Sequence, residues 1–303
     1  MNAYVIVGAG PIGTGVADQL LRRGDEVVVV TRSGRGPDGA RNVALDAVDA
    51  DALTQLAEGA AAIFNCANPA YHQWVTDWPP LAASMLTAAE RTGALLAIAS
   101  NLYGYGPVDR PMTPDMPLNT TTSKGLVRAK MWRDALAAHE AGRLRAVEVR
   151  GADYVVAGEQ SQIDRQLPAL LAGKKLRVLG DPDVPHSWTY TGDMARTLVA
   201  VADAPEAWGK PWHALVASDD SQRQALTELA AMAGKPIPTV VPLPMWQLKL
   251  VGLFNKTVAQ LPELAYQVQA PFISDDSATR ADLGLAPTPW PEVLQRSLTA
   301  AGR

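Results

Sequence analysis

Between an apolar run, Ala3 to Val7, and a segment with apolar residues at Ile12, Val16, Leu20 and Leu21, the chain reads Gly8-Ala-Gly10-Pro-Ile-Gly13. The run is rich in β-branched residues and fits a strand buried on both faces. The spacing after it is that of a helix, which Gly24 stops. Glycines at these three places in a strand-to-helix turn have separate mechanical roles. Gly8 permits the tight turn, Gly10 lets the backbone approach a diphosphate with no Cβ in the way, and Gly13 lets helix and strand pack closely. The helix start at Pro11 and Ile12 then presents unpaired N–H groups and a positive dipole end to the phosphates. The stretch predicts a dinucleotide cradle.

The same alternation continues. Glu26 to Val30, Val43 to Leu45, Ala61 to Cys66, Ala94 to Ala99 and Leu144 to Arg150 read as strands. Val48 to Ala57, Leu81 to Arg91 and Gly125 to Glu140 read as helices. Strands alternating with helices predict an α/β fold, a doubly wound parallel sheet of the Rossmann kind with helices on both faces. After about Val155 the alternation weakens and Pro and Trp become frequent. The expected division is a dinucleotide-binding domain over 1–155 and a smaller C-terminal α/β substrate domain over 156–303, with residues about 186–215 returning to the first.

The second strand ends Val30-Thr31-Arg32-Ser33-Gly34-Arg35. A carboxylate here would hold the ribose hydroxyls of NAD, whereas an arginine accommodates the extra phosphate of NADP. Arg32 suits a bidentate phosphate contact, and Ser33 and Arg35 add donors. Asp25 and Glu26 come too early, in the turn before the strand. The expected cofactor is NADP rather than NAD.

Bulk properties exclude other classes. A net charge of −4, with no long basic block, argues against nucleic acid. The most apolar later stretch, Val240 to Phe254, is interrupted by Pro242, Pro244 and Lys249 and is too short to span a bilayer. One cysteine, Cys66, gives no internal disulfide and suits a reducing cytoplasm. No Cys, His and Asp spacing suggests a metal site.

Placed in this order, the elements resemble the extended short-chain dehydrogenase/reductase family, which includes sugar-nucleotide epimerases and dehydratases. Besides the glycine motif, the resemblance rests on Asp46 after the third strand and Asn65-Cys66-Ala67 at the end of the fourth. Tyr105-Gly106-Pro107, Ser123-Lys124 and Trp188-Thr-Tyr-Thr-Gly-Asp193 extend it over nearly the whole chain. The resemblance implies that Asp46 contacts adenine, a role compatible with capping a helix or turn, and that the Asn65-Cys66-Ala67 backbone runs beside the cofactor. It also implies a homodimer. The apolar residues Leu126, Val127, Met131, Trp132 and Leu136 of the long helix suit either the sheet or a second subunit.

The family's chemistry uses a Ser or Thr, a Tyr and a Lys, with Tyr and Lys four apart on one helix face. Lys124 matches and is expected to hold the nicotinamide ribose. The position four before it is Thr120, and the hydroxyl position falls on Asn101, beside Ser100. A threonine hydroxyl is too weak an acid to replace a phenol. Tyr103 is the first substitute, its phenol acidified by Lys124; Tyr105 and Tyr154 reach the same rim. Tyr71, His72 and Trp74, in an aromatic loop that also holds Trp78, are expected to wall the substrate, with His186 and Trp188 lining or buttressing the cleft. Asp193 reads as a helix cap. The leading expectation is an NADP-dependent oxidoreductase or redox isomerase acting on a small carbonyl or alcohol. The altered catalytic set keeps two alternatives open: a non-catalytic NADP-binding sensor, or a non-redox isomerase or cyclase that retains the cofactor.

Overall fold

Seven parallel strands form the central sheet of the computed structural model, which describes residues 2–244, 247 and 258–302. Most of the apolar stretch 240–254 therefore lies outside the described residues. The first half alternates β1 (Ala3–Val7), α1 (Pro11–Arg22), β2 (Glu26–Thr31), β3 (Arg41–Ala44), α2 (Ala50–Leu56), β4 (Ala62–Asn65), α3 (Trp74–Thr92), β5 (Leu95–Asn101), α4 (Ser123–Glu140) and β6 (Arg145–Gly151). The second half adds β7 (Asp153–Val155), α5 (Leu167–Leu171), β8 (Leu176–Val178), β9 (Trp188–Tyr190), α6 (Thr191–Asp203), β10 (Pro211–His213), α7 (Gln222–Met232) and β11 (Val240–Pro242). Helices Ser277–Leu283 and Trp290–Ala301 follow.

The sheet runs β10-β6-β5-β4-β1-β2-β3. Its order reverses at β1, which pairs with β2 on one side and β4 on the other. In open α/β sheets such a reversal opens a crevice at the carboxyl ends of the strands. The sheet residues are apolar on both faces because both are covered. Val16 and Leu20 of α1 and Met194 and Leu198 of α6 pack with Ile6, Phe64 and Val147. On the opposite face Trp78 and Met85 of α3 and Met131 and Trp132 of α4 pack with Val5, Ile63 and Leu96. Thus α4 buries its Met131 and Trp132 against the sheet and leaves Leu126 exposed. A third core, outside the sheet, gathers Leu167, Leu176, Leu226, Leu229, Val293 and Leu294.

Two expectations change. The aromatic segment read as a loop is mostly helix, since α3 begins at Trp74 and continues through Pro79 and Pro80. Asp193 does not cap α6, whose N-cap is Tyr190. It lies in the first turn, fully buried, and accepts from Thr288 N at 2.7 Å and Thr288 Oγ1 at 2.6 Å, tying the C-terminal segment to the sheet layer. Among the described residues no helix is long and apolar enough to cross a membrane.

Candidate functional site

The turn after β1 is built as tightly as three glycines allow. Gly8 has φ of +103°, and a Cβ there would press on the Cys66 carbonyl. A Cβ on Gly13 would land on the Gly8 carbonyl oxygen. Gly10 is different: it has ordinary extended backbone as N-cap of α1, and a Cβ there would meet nothing within 4 Å among the described residues. Its missing side chain leaves open space above the first turn of α1, whose N–H groups have no side-chain cap.

That space belongs to a cavity of about 1540 Å³ at the carboxyl ends of the strands. Gly8, Gly10, Pro11 and Ile12 form its floor, Arg32 and Asp46 one end, and Cys66 and Ala67 a side wall. Asp46 accepts from Val48 N at 3.3 Å as a turn residue, while Asp49 caps α2. Cys66 is buried, and burial pushes its thiol up to about 12. Gly13, Asn65, Ser33 and Arg35 do not reach the wall. Gly13 is the contact between helix and strand, and Asn65 is buried with its side chain on Ala67 N. A turn in which Thr31 Oγ1 donates to Arg35 O carries Ser33 and Arg35 outward.

Past the cradle the wall continues with Tyr71, His72, Trp74, Ser100, Asn101, Tyr103 and Tyr154. The Asn101 carboxamide oxygen accepts from Tyr103 N at 3.2 Å. The Tyr103 ring lies 5.9 Å from that of Trp74, and Tyr154 donates its hydroxyl to Ser100 O at 2.8 Å. Burial first, then the neighbouring Tyr71, pushes the Tyr103 phenol well above its ordinary value. The phenol is not acidified by Lys124, contrary to the sequence-based expectation.

Lys124 explains why. It is 1% exposed and off the cavity wall; its Nζ donates to Gln260 Oε1 at 2.7 Å and Glu263 Oε2 at 3.2 Å and sits 4.7 Å above the Tyr71 ring. Burial pushes the Glu263 carboxyl up, but bonds from Ser123 and Lys124 outweigh it and hold the group below its usual range. Thr120 is also off the wall, its Oγ1 3.0 Å from Thr122 Oγ1. The expected pair fails for a local reason. Thr122 caps α4 through Gly125 N, so the helix begins at Ser123 and Thr120 precedes it. Four residues apart then no longer means one helical face.

Tyr105, His186 and Trp188 are likewise buried away from the cavity. His186 stands behind the wall residue Asp153, with Nε2 3.0 Å from Asp153 Oδ2 and Nδ1 3.1 Å from Gln267 O. Both ring nitrogens face acceptor oxygens. Gln162 also donates to Asp153 Oδ2, at 2.6 Å. Burial raises the Asp153 carboxyl, but His186 and Gln162 outweigh it and keep it below the usual range. Trp188 donates its indole N–H to Asp220 O at 2.7 Å.

Tyr105 is a strut. Arg150 Nη1 donates to its hydroxyl at 2.7 Å, and the hydroxyl lies 2.7 Å from His213 Nε2, whose Nδ1 faces Asp275 O at 2.9 Å. Burial, then the Arg150 charge, pushes His213 down from 6.5 to about 3. Between those values the unfolded chain takes up a proton that the folded chain refuses, so stability falls as pH falls, by up to ~1.4 kcal/mol per pH unit. Urea melts from about pH 6.5 to about pH 5 are expected to show a loss of about 2 kcal/mol, and His213→Gln to remove most of that slope.

Asp153 and Arg128 are among the wall residues that escaped the sequence reading. Arg128 lies one helical turn beyond Lys124, and its guanidinium sits in the corner formed by two nearly perpendicular indoles, 4.5 Å from the Trp74 ring and 4.3 Å from that of Trp78. The signal was the i, i+4 spacing from Lys124.

Solved structures share this architecture over the full chain. UDP-glucose 4-epimerase of Thermotoga maritima, solved with UDP-glucose, superposes with a TM-score of 0.78 at 16% identity, covering 99% of both chains. UDP-glucose 4-epimerase of Brucella ovis, in complex with NAD, gives 0.78 at 20% identity, covering 100% of this chain and 99% of that one. A double mutant of dTDP-glucose 4,6-dehydratase from Streptomyces venezuelae, with NAD bound, gives 0.76 at 19% identity, covering 99% and 96%. At such identities the likeness is one of fold. No curated protein matches the sequence. Residues 4–217, which hold the glycine cradle and all seven strands of the sheet, match the NAD dependent epimerase/dehydratase family, and the chain belongs to that family of enzymes.

Proposed function

We propose that the protein is an NADP-dependent oxidoreductase or redox isomerase acting on a small carbonyl or alcohol. The observation that carries this reading is the continuity of one cavity from the Gly10 opening and Arg32 to Asn101, Tyr103 and Asp153. Its volume exceeds the roughly 300–1,000 Å³ usual for a single ligand, which suits a dinucleotide and a second molecule together. The open face of Gly10 is the space a diphosphate needs, so the residues present fit the cofactor. Bound there, the nicotinamide would supply a hydride acceptor or donor.

The chain's own groups do the rest. Backbone N–H groups at the start of α1 hold the diphosphate, and Arg32 takes the additional phosphate of NADP. Asn101 keeps its amide NH2 for a substrate oxygen, because its oxygen is engaged by Tyr103 N. Tyr103 stays protonated through neutral pH and donates a hydrogen bond. Asp153 Oδ2 is taken by His186 and Gln162, while Oδ1 has no partner among the described residues and serves as proton acceptor. Structures of similar fold hold NAD, so a preference for NADP would set this chain apart from them. The reading keeps the family's homodimer, with Leu126 exposed on α4 for it, and a cytoplasmic setting suited to the buried Cys66 thiol.

Arg32→Ala is the test of the cofactor assignment. It is expected to weaken NADPH binding by about 10- to 100-fold, the worth of a bidentate phosphate contact, and to leave NADH binding unchanged in calorimetric titrations. Equal loss for both nucleotides would remove the NADP preference. The displacement of Lys124 and Thr120 from the wall favours a second reading, a cofactor sensor without turnover. Nicotinamide oxidation against a panel of carbonyls, with Asp153→Asn as control, separates the two: turnover abolished by the substitution supports the enzyme, and NADPH bound without oxidation of any panel member supports the sensor.

A further inference from the structure

We propose that Arg128 is an anion-recognising residue of this cavity, and that the second molecule bound there carries a carboxylate. Arg128 is 6% exposed and lies on the cavity wall beside Ala99, Ser100 and Tyr154. A guanidinium has five N–H donors in a planar fork. Among the described residues a single bond is made, from Nη1 to Ala99 O at 3.4 Å, and the buried Nε has no partner. No carboxylate pairs with it among the described residues. Buried guanidinium groups are ordinarily paired, because an uncompensated charge inside a protein is costly. Burial pushes this one down to about 10, so it is still charged at neutral pH.

The side chain is held ready all the same. The Trp74 and Trp78 rings, at 84° to each other, enclose the guanidinium on two sides, restrict its position and supply cation–π attraction. A rigid, charged fork with spare donors on the wall of a cavity matches the planar, bidentate geometry of a carboxylate. The cradle and Arg32 hold the other end of the same cavity, so the cofactor's phosphates are already provided for. The aromatic wall of Tyr71, Trp74 and Tyr103 adds a surface for a flat apolar body next to the anion. The inference refines the substrate of the proposed reaction, and so rests on that reading for its catalytic meaning. The binding claim stands apart from it.

Benzoate and benzamide, equal in shape and different in charge, are suitable probes. Each is titrated calorimetrically into the full chain with and without NADP. Wild type is expected to prefer benzoate by at least about tenfold, and Arg128→Met to lose that preference while still binding NADP. A cavity that binds both probes equally, binds neither, or keeps its preference in Arg128→Met overturns the proposal, as does an Arg128→Met protein that loses NADP and keeps benzoate. Failure of wild type to bind NADP, with the benzoate preference intact, would sink the oxidoreductase reading and leave the anion site standing. Should Arg128→Met not fold, crystals of wild type soaked in 4-bromobenzoate decide. Bromine density that places the carboxylate on Arg128 supports the site, and density elsewhere or none rejects it.

Discussion

Gly10→Val is expected to abolish NADP binding and leave the melting temperature almost unmoved. Gly10 has φ of −72° and extended ψ, which valine adopts without strain, and a Cβ there meets nothing within 4 Å among the described residues. The fold has no need of this glycine; only a ligand lying against the first turn of α1 does. A branched side chain would hold the diphosphate away from the amide groups. Two charge-assisted bonds of about 1.5–3 kcal/mol each then correspond to an affinity loss on the order of 100-fold or more. Gly13→Ala is the contrast, since its Cβ falls on the Gly8 carbonyl oxygen and the turn itself must open. Calorimetry with NADPH and thermal melts on both variants give the comparison. A Gly10→Val protein that binds NADPH as wild type does would remove the cradle reading.

Glu148→Ala is expected to take away much of the protein's stability. Glu148 and Arg150 alternate to the same face of β6, are 1% and 2% exposed, and meet through Arg150 Nε at 2.6 Å from Glu148 Oε2. Arg150 also donates to Tyr105 and to Pro114 O, so the guanidinium cannot move out to water without dismantling the Tyr105–His213 strut. Removing only the carboxylate leaves a buried charge unpaired, a loss of about 3–5 kcal/mol, against a total of about 5–15 kcal/mol for a typical protein. Urea denaturation measures it. The double substitution Glu148→Leu with Arg150→Met, which removes both charges, is expected to recover at least half of the loss. Equal stability of Glu148→Ala and wild type would show that the pair is solvated in solution.

The sheet was legible because its signals are local. Each buried strand of the first half is a short β-branched or apolar run bounded by turn residues, and β1 and α1 bracket the glycines at the spacing the turn demands. The start of α3 was hidden because Pro79 and Pro80 each remove a helical hydrogen bond and read as breakers. Burial overrides them: Trp74, Trp78, Leu81 and Met85 repeat at i, i+4, i+7 and i+11 and all face the core. The cradle residues were legible for the same local reason, since a chain reversal against a diphosphate leaves few residue types to choose from.

The far wall was not legible, and Lys124 shows why. Its partners Gln260 and Glu263 are more than a hundred residues away, and nothing near Lys124 in sequence announces them. Which of two lysine- or arginine-bearing turns of α4 faces the cavity depends on where the helix begins, and that was set by one threonine cap. Asp153 gave no sign because its meaning comes from His186 and Gln162, brought to it by the segment leading into β9 and by the loop after β7. Tyr105, read as a rim residue, is drawn inward by Arg150 from β6 and His213 from β10.

The order in which the sheet layer is assembled bears on biosynthesis. Helix α6 and strand β10, residues 191–213, complete a layer whose other members end at Gly151, with Gly15 of α1 set close against Ala195 of α6. A ribosome making this chain releases the nucleotide-cradling strands long before the helix that covers them. During that interval the Val16 and Leu20 flank stays uncovered, a window for chaperone capture or self-association that closes only when the later segment emerges.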